Sequence, residues 1–200
     1  MKLLAPTVIG LALLAGAAGP ADADDAAPPI LTAYDQFRTA GCKVELIGSP
    51  IVARVLRNVP YALAGKRFKS PELAALYAAD GRGDARWYSP SADEVDVTAA
   101  DRACVRALGA RETKLRKTIK IKPAVEAAIT RHGATVLEMM ELVTPDFRKA
   151  RSQVKTVGKD RMFELVFDDG SQVQIQCTAP AAEVAVEDWS HLACHVLAAG

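Results

Sequence analysis

Hydrophobic positions along the chain follow a helical period up to about residue 111 and change period beyond it, and that change divides the chain into two halves. Leu31, Tyr34 and Phe37 recur every third residue and predict a short helix over 31–40. Ser49 followed by Pro50 is a helix start, and Val52, Val55, Leu56, Val59 and Leu63 carry the stripe to a stop at Gly65. Pro60 inside this stripe predicts a kink or a break. Ser70-Pro71-Glu72 repeats the start signal for a helix to Ala79 with Leu73, Leu76 and Tyr77 inward. Thr98 with Asp101 three residues later resembles a capping box, opening a helix that carries Cys104 and stops at Gly109.

Beyond Arg111 the alternation shortens. Residues 119–122 alternate apolar and basic, as a half-buried strand would. Pro123 then opens a helix to His132, with Gly133 as its stop, and 135–143 fits both periods. Met162–Phe167, the turn residues Asp168-Asp169-Gly170-Ser171 and Gln172–Cys177 predict a β-hairpin. It places Phe163, Leu165, Phe167, Val173, Ile175 and Cys177 on core-facing sides and Gln172, Gln174 and Gln176 toward water. Val184–Leu197 reads as a last strand or a short helix. The fold class expected is α+β: a small helical N-terminal domain followed by a small C-terminal unit with a β-hairpin or meander.

Composition changes this picture in one respect. Half of the 200 residues are hydrophobic, but 6% are aromatic, and the apolar excess is concentrated at the N-terminus and in alanine-rich stretches. Lys2, an apolar run over Leu3–Gly19 and Ala21-Asp22-Ala23 form the pattern of a secretory signal peptide over 1–23. A membrane anchor is disfavoured by Pro6 and Pro20, which interrupt a run too short to span. No cysteine lies near the cleavage pattern for lipoprotein processing. The mature chain would therefore have no membrane span, and its localisation is expected to be periplasmic or secreted. Residues 24–44 are then a leader with a short helix, 45–110 the helical domain and 111–200 the α+β domain.

An oxidising compartment favours disulfides for Cys42, Cys104, Cys177 and Cys194. Three connectivities are possible, and Cys42 with Cys104 and Cys177 with Cys194 would staple each half. With 25 Lys+Arg against 24 Asp+Glu, the balance excludes a disordered tail and a globally basic nucleic-acid binder.

The ordered residues Leu56-Arg57-Asn58-Val59-Pro60-Tyr61-Ala62-Leu63-Ala64-Gly65-Lys66-Arg67-Phe68-Lys69-Ser70-Pro71-Glu72-Leu73, with Tyr77 and Trp87-Tyr88 downstream, resemble the YARHG domain over roughly 45–110. That resemblance implies an extracytoplasmic bacterial module without an agreed activity, and marks Arg57, Asn58, Tyr61, Gly65, Phe68, Lys69, Trp87 and Tyr88 as motif or binding residues. Leu63-Ala64 stand where the family shows Arg-His, which puts a polar or proton-transfer role there in doubt. Arg131-His132-Gly133 repeats three letters of the motif without its surroundings and reads as a helix end.

Other chemistry is weaker. Cys177, His191, Cys194 and His195 could bind zinc, or a Cys/His pair could act as a nucleophile, but either needs free thiols. Glu72, Asp80 and Asp84 have no spacing that singles them out as acid and base. Arg82-Gly83-Asp84 is an adhesion-like triplet of a kind common in loops. Arg111, Lys114, Arg116, Lys117, Lys120 and Lys122 form a basic run that could meet anionic polymer or lipid, or guard a strand edge. No catalytic residues, cofactor or metal are assigned, and the sequence favours a non-enzymatic protein. The expected function is binding or stabilising an envelope component, peptidoglycan or an envelope protein, with a small wall hydrolase or an inhibitor of a wall enzyme acting through the C-terminal half as the alternative.

Overall fold

A computed structural model describes residues 28–81, 86–132, 149–168, 170, 172–178 and 193–197. The signal-peptide segment, the 135–143 stretch, the Arg82-Gly83-Asp84 triplet and His191 lie outside these residues. The described chain is α+β. Helices α1 (Pro29–Thr39), α2 (Pro50–Leu63), α3 (Pro71–Ala79), α4 (Ala99–Thr118) and α5 (Pro123–Arg131) precede strands β1 (Arg151–Val157), β2 (Asp160–Val166), β3 (Gln172–Thr178) and β4 (Ala193–Leu197). The strands form an antiparallel meander in the order β1-β2-β3-β4.

The start signals work as hydrogen bonds. Ser49 Oγ accepts from the backbone N–H groups of Ile51 and Val52, and Ser70 Oγ accepts from Leu73. Thr98 Oγ1 accepts from Asp101 N–H and donates to its carboxylate. Pro60 does not break α2, which continues to Leu63. Leu63, expected inward, is 48% exposed.

Two expectations fail around residue 111. The fourth helix passes through Gly109 to Thr118, and 119–122 is an extended link rather than a strand. Its buried stripe is Cys104, Leu108, Glu112 and Leu115, with one charged member. Glu112 is buried because Arg57 and Arg116 reach its carboxylate, at 3.0 and 2.9 Å, so the helix keeps its inward face across the position where apolar periodicity is lost.

One apolar cluster runs from Ile30 on α1 through α2, α3 and α5 to Ile175 and Cys177 on β3. Helix α5 connects the two halves, lying against α2 and α3 on one side and β1 and β2 on the other. The inner sheet face carries Phe163, Leu165, Val173, Ile175 and Cys177, all buried as their alternation predicts. Strand β1 had no counterpart in the sequence reading, although Gly158 at φ +61° starts a two-residue turn between Val157 and Asp160. Of the last segment, Ala193–Leu197 is a strand, and 184–192 lies outside the described residues.

The outer face is not simply wet. Glu164 is 2% exposed there, because Lys155 Nζ at 2.7 Å, Gln153 Nε2 at 2.6 Å and Gln174 Nε2 at 3.3 Å converge on its carboxylate from both neighbouring strands. A buried carboxylate with a charged partner and two amide donors satisfies the condition under which burial of charge is tolerated.

Candidate functional site

The motif residues collect around the C-terminus of α2, where the chain reverses. Gly65, with φ +80°, donates to Ala62 O, and Lys66 N–H donates to Tyr61 O, so the helix closes in a Schellman arrangement that needs a left-handed residue. Gly65 O then accepts from the N–H groups of Ser91 and Ala92, and Arg67 N–H donates to Ala92 O at 2.6 Å. These bonds tie 65–67 to 91–92. A Cβ at Gly65 would lie 2.6 Å from Ser91 Oγ and 3.2 Å from Ser89 O. Gly65→Ala should therefore lose about 2 kcal/mol through left-handed strain and the backbone contact. Adding Ser91→Ala should recover only part of this loss in urea unfolding; full recovery would show that backbone strain contributes nothing.

Phe68, Tyr77, Trp87 and Tyr88 pack as one aromatic group beneath this clamp, with centroids 5.4 Å apart for Phe68–Tyr77 and Tyr77–Trp87 and 6.0 Å for Phe68–Tyr88. Their polar ends are satisfied internally: Tyr77 OH donates to Val55 O, Tyr88 OH to Lys66 O and Trp87 Nε1–H to Asp80. Burial pushes the Tyr77 hydroxyl pKa well up. Asp80 is 1% exposed and accepts from Ile30 N–H at 3.1 Å and Leu31 N–H at 3.4 Å as well as from Trp87. It thus caps α1, whose own N-cap, Pro28, has no side chain to do so. Tyr34 OH donates to Asp101 at 2.8 Å, and burial together with that carboxylate raises its pKa.

Arg57 and Asn58 face elsewhere. Asn58 Nδ2 donates to Arg54 O, whereas Arg57 pairs with Glu112. Arg57 belongs to a lattice in which Arg54 reaches Glu72 at 2.9 Å and Glu126 at 3.4 Å, and Arg116 holds Glu126 at 2.6 Å and Glu112 at 2.9 Å. Three guanidinium groups and three carboxylates from four helices are thereby neutralised. Burial pushes the Glu72 carboxyl upward, but its backbone N–H, Arg54 and Ser70 outweigh this and hold it below the usual range. Glu126 raises the Arg116 pKa, against the opposing effect of burial. Glu72 and Asp80 are thus structural here, and the basic run lies on α4 and the link after it rather than on a strand. Arg111 donates to Ile47 O and Glu45 O, and Lys120 donates to Arg116 O.

Tyr61, Leu63, Lys66 and Lys69 remain at the surface. The Lys66 ammonium lies 5.2 Å from the Tyr61 ring centroid, Leu63 projects outward and Lys69 is exposed.

Both disulfides have the pairing that staples each half: Cys42–Cys104 and Cys177–Cys194. Cys177 and Cys194 are directly opposite on β3 and β4, with Cα atoms 4.0 Å apart. His195 alternates to the outer face opposite Gln176, away from the two sulfurs. His132, read from sequence as a helix end, caps α5 and brings one ring nitrogen and the two sulfurs within 4.8 Å of one another. Burial, then the charges of Arg131 and His195, lower its pKa. The bridged sulfurs leave no thiolate for a metal. Sequence spacing could not have revealed this proximity, since 45 residues separate His132 from Cys177.

No protein-family model, no curated protein and no solved structure matches the chain.

Proposed function

We propose that the chain is an exported, non-enzymatic cell-envelope protein with a YARHG-like N-terminal half, and that it binds peptidoglycan through the surface at the end of α2. The observation that carries this reading is the combination of a half-buried tyrosine ring with a lysine ammonium over it, an outward leucine and a second, exposed lysine at Tyr61, Lys66, Leu63 and Lys69. A sugar ring stacks on an aromatic face, and ammonium groups attract the carboxylates of wall peptides. The signal-peptide pattern supports export, and two disulfides suit an oxidising compartment. Tyr88, packed against Phe68 and Trp87, holds the backbone at Lys66 through its hydroxyl.

Co-sedimentation of the purified mature chain with peptidoglycan sacculi tests this directly. Tyr61→Ala with Lys66→Ala and Lys69→Ala should reduce retention at least about tenfold while leaving the unfolding free energy within about 1 kcal/mol of the parent, because none of these side chains is in the core. Added salt should weaken the parent's retention. Equal retention by the triple variant would overturn the assignment of this surface. Binding transferred to the sheet half would favour the inhibitor or hydrolase reading.

A further inference from the structure

We infer that Cys177–Cys194 is an exchangeable redox disulfide for which His132 is the positioning residue, and that its substrate class is a small or protein-borne thiol. This goes beyond the envelope-binding reading and does not depend on it.

Each bridge joins a half-buried cysteine to a buried one, Cys42 to Cys104 and Cys194, on the edge strand, to Cys177 on the inner face. They differ in what lies beside them: among the described residues it is Cys177–Cys194 that has a histidine nitrogen close to both sulfurs. At that bridge an entering thiolate meets the half-buried Cys194 first, and Cys177 is the leaving sulfur. Near both sulfurs is the His132 imidazole, whose Nε2 is buried with no hydrogen-bond partner among the described residues. An unpaired buried acceptor carries a free-energy penalty of about 1 to 3 kcal/mol. Reduction supplies the missing donor: Cys177 becomes an S–H that can hydrogen-bond to the imidazole. The neighbouring histidine thus favours the dithiol over the disulfide. Burial and the charges of Arg131 and His195 disfavour the imidazolium, and a neutral imidazole has one nitrogen able to accept.

The exchange balances in two steps. A thiolate RS⁻ attacks Cys194 Sγ, the S–S bond breaks and the electron pair leaves on Cys177 Sγ, which takes a proton from water and bonds to His132. A second RS⁻ attacks the RS sulfur of the mixed disulfide and releases Cys194 as a thiolate, which is then protonated. In sum, the protein disulfide is reduced by two electrons to a dithiol, and two RSH are oxidised to RSSR.

The test equilibrates the purified chain in buffers of graded reduced and oxidised glutathione, alkylates the free thiols and quantifies each cysteine by peptide mass spectrometry. Cys42–Cys104 in the same molecule is the internal reference. Cys177–Cys194 should open first, and His132→Ala should lower its reduction equilibrium constant at least about tenfold, or about 30 mV, without moving Cys42–Cys104. His132→Phe, which retains a ring but no acceptor, should do the same and serves if the alanine variant does not fold. Three results would each overturn the inference: Cys177–Cys194 resisting reduction as strongly as Cys42–Cys104 in the folded chain, an equilibrium unchanged in either folded His132 variant, or an equilibrium that a metal chelator abolishes, which would make the reduced pair a metal site.

Discussion

Cys42→Ser combined with Cys104→Ser should destabilise the chain by about 4 kcal/mol, the largest loss expected from removing any one cross-link. The bridge joins residues 62 positions apart and so restricts the unfolded chain over a long loop, whereas Cys177–Cys194 spans 17 and should contribute about 3 kcal/mol. In the folded state Cys42–Cys104 fastens the segment after α1 to α4, a helix that also lies along α2. A loss of this size shifts the thermal midpoint of a chain this long by about 10 °C. Urea unfolding of the oxidised parent and the double variant checks it. A difference below about 1 kcal/mol would mean that the bridge merely decorates contacts sufficient in themselves.

Asp80→Ala should lose about 3 kcal/mol, more than an ordinary cap. The carboxylate accepts from two backbone N–H groups at the start of α1 and from the Trp87 indole, and it is almost fully buried. Losing a cap is worth about 1 kcal/mol, and each donor stranded away from water adds further cost. Asp80→Asn should be nearly as damaging, because its amide nitrogen would present a donor to donors. Trp87→Phe should lose less, and a cycle of Asp80→Ala with Trp87→Phe should give a coupling of at least about 0.5 kcal/mol. Additive losses would show that the indole and the carboxylate act independently.

The legible parts of the fold were those whose signal is local. Ser49-Pro50, Ser70-Pro71 and Thr98 with Asp101 begin helices because each hydroxyl lies within one turn of the N–H groups it caps. The alternation of 162–167 and 172–177 specified the faces of β2 and β3, since side chains of a strand project to opposite sides. Gly65 announced a helix stop, and its Schellman bonds show why. Where a charged residue is buried, the same reasoning failed. Glu112 broke the apolar count on α4, and Glu164, on the outer face where alternation predicts contact with water, is buried instead, because their partners come from other elements: Arg57 on α2, Lys155 on β1 and Gln174 on β3.

By itself, then, the sequence determined the α+β class with helices ahead of the hairpin, the start signals of α2, α3 and α4 and the faces of the hairpin. Each of these depends on residues within a few positions of one another, where spacing alone fixes relative orientation. Only the tertiary structure decided that Asp80 caps a helix fifty residues earlier, that three arginines and three glutamates neutralise one another across four helices, and that His132 lies beside a disulfide. Those placements follow from packing α5 between the other helices and the sheet, and a contact made by packing leaves no period in the chain.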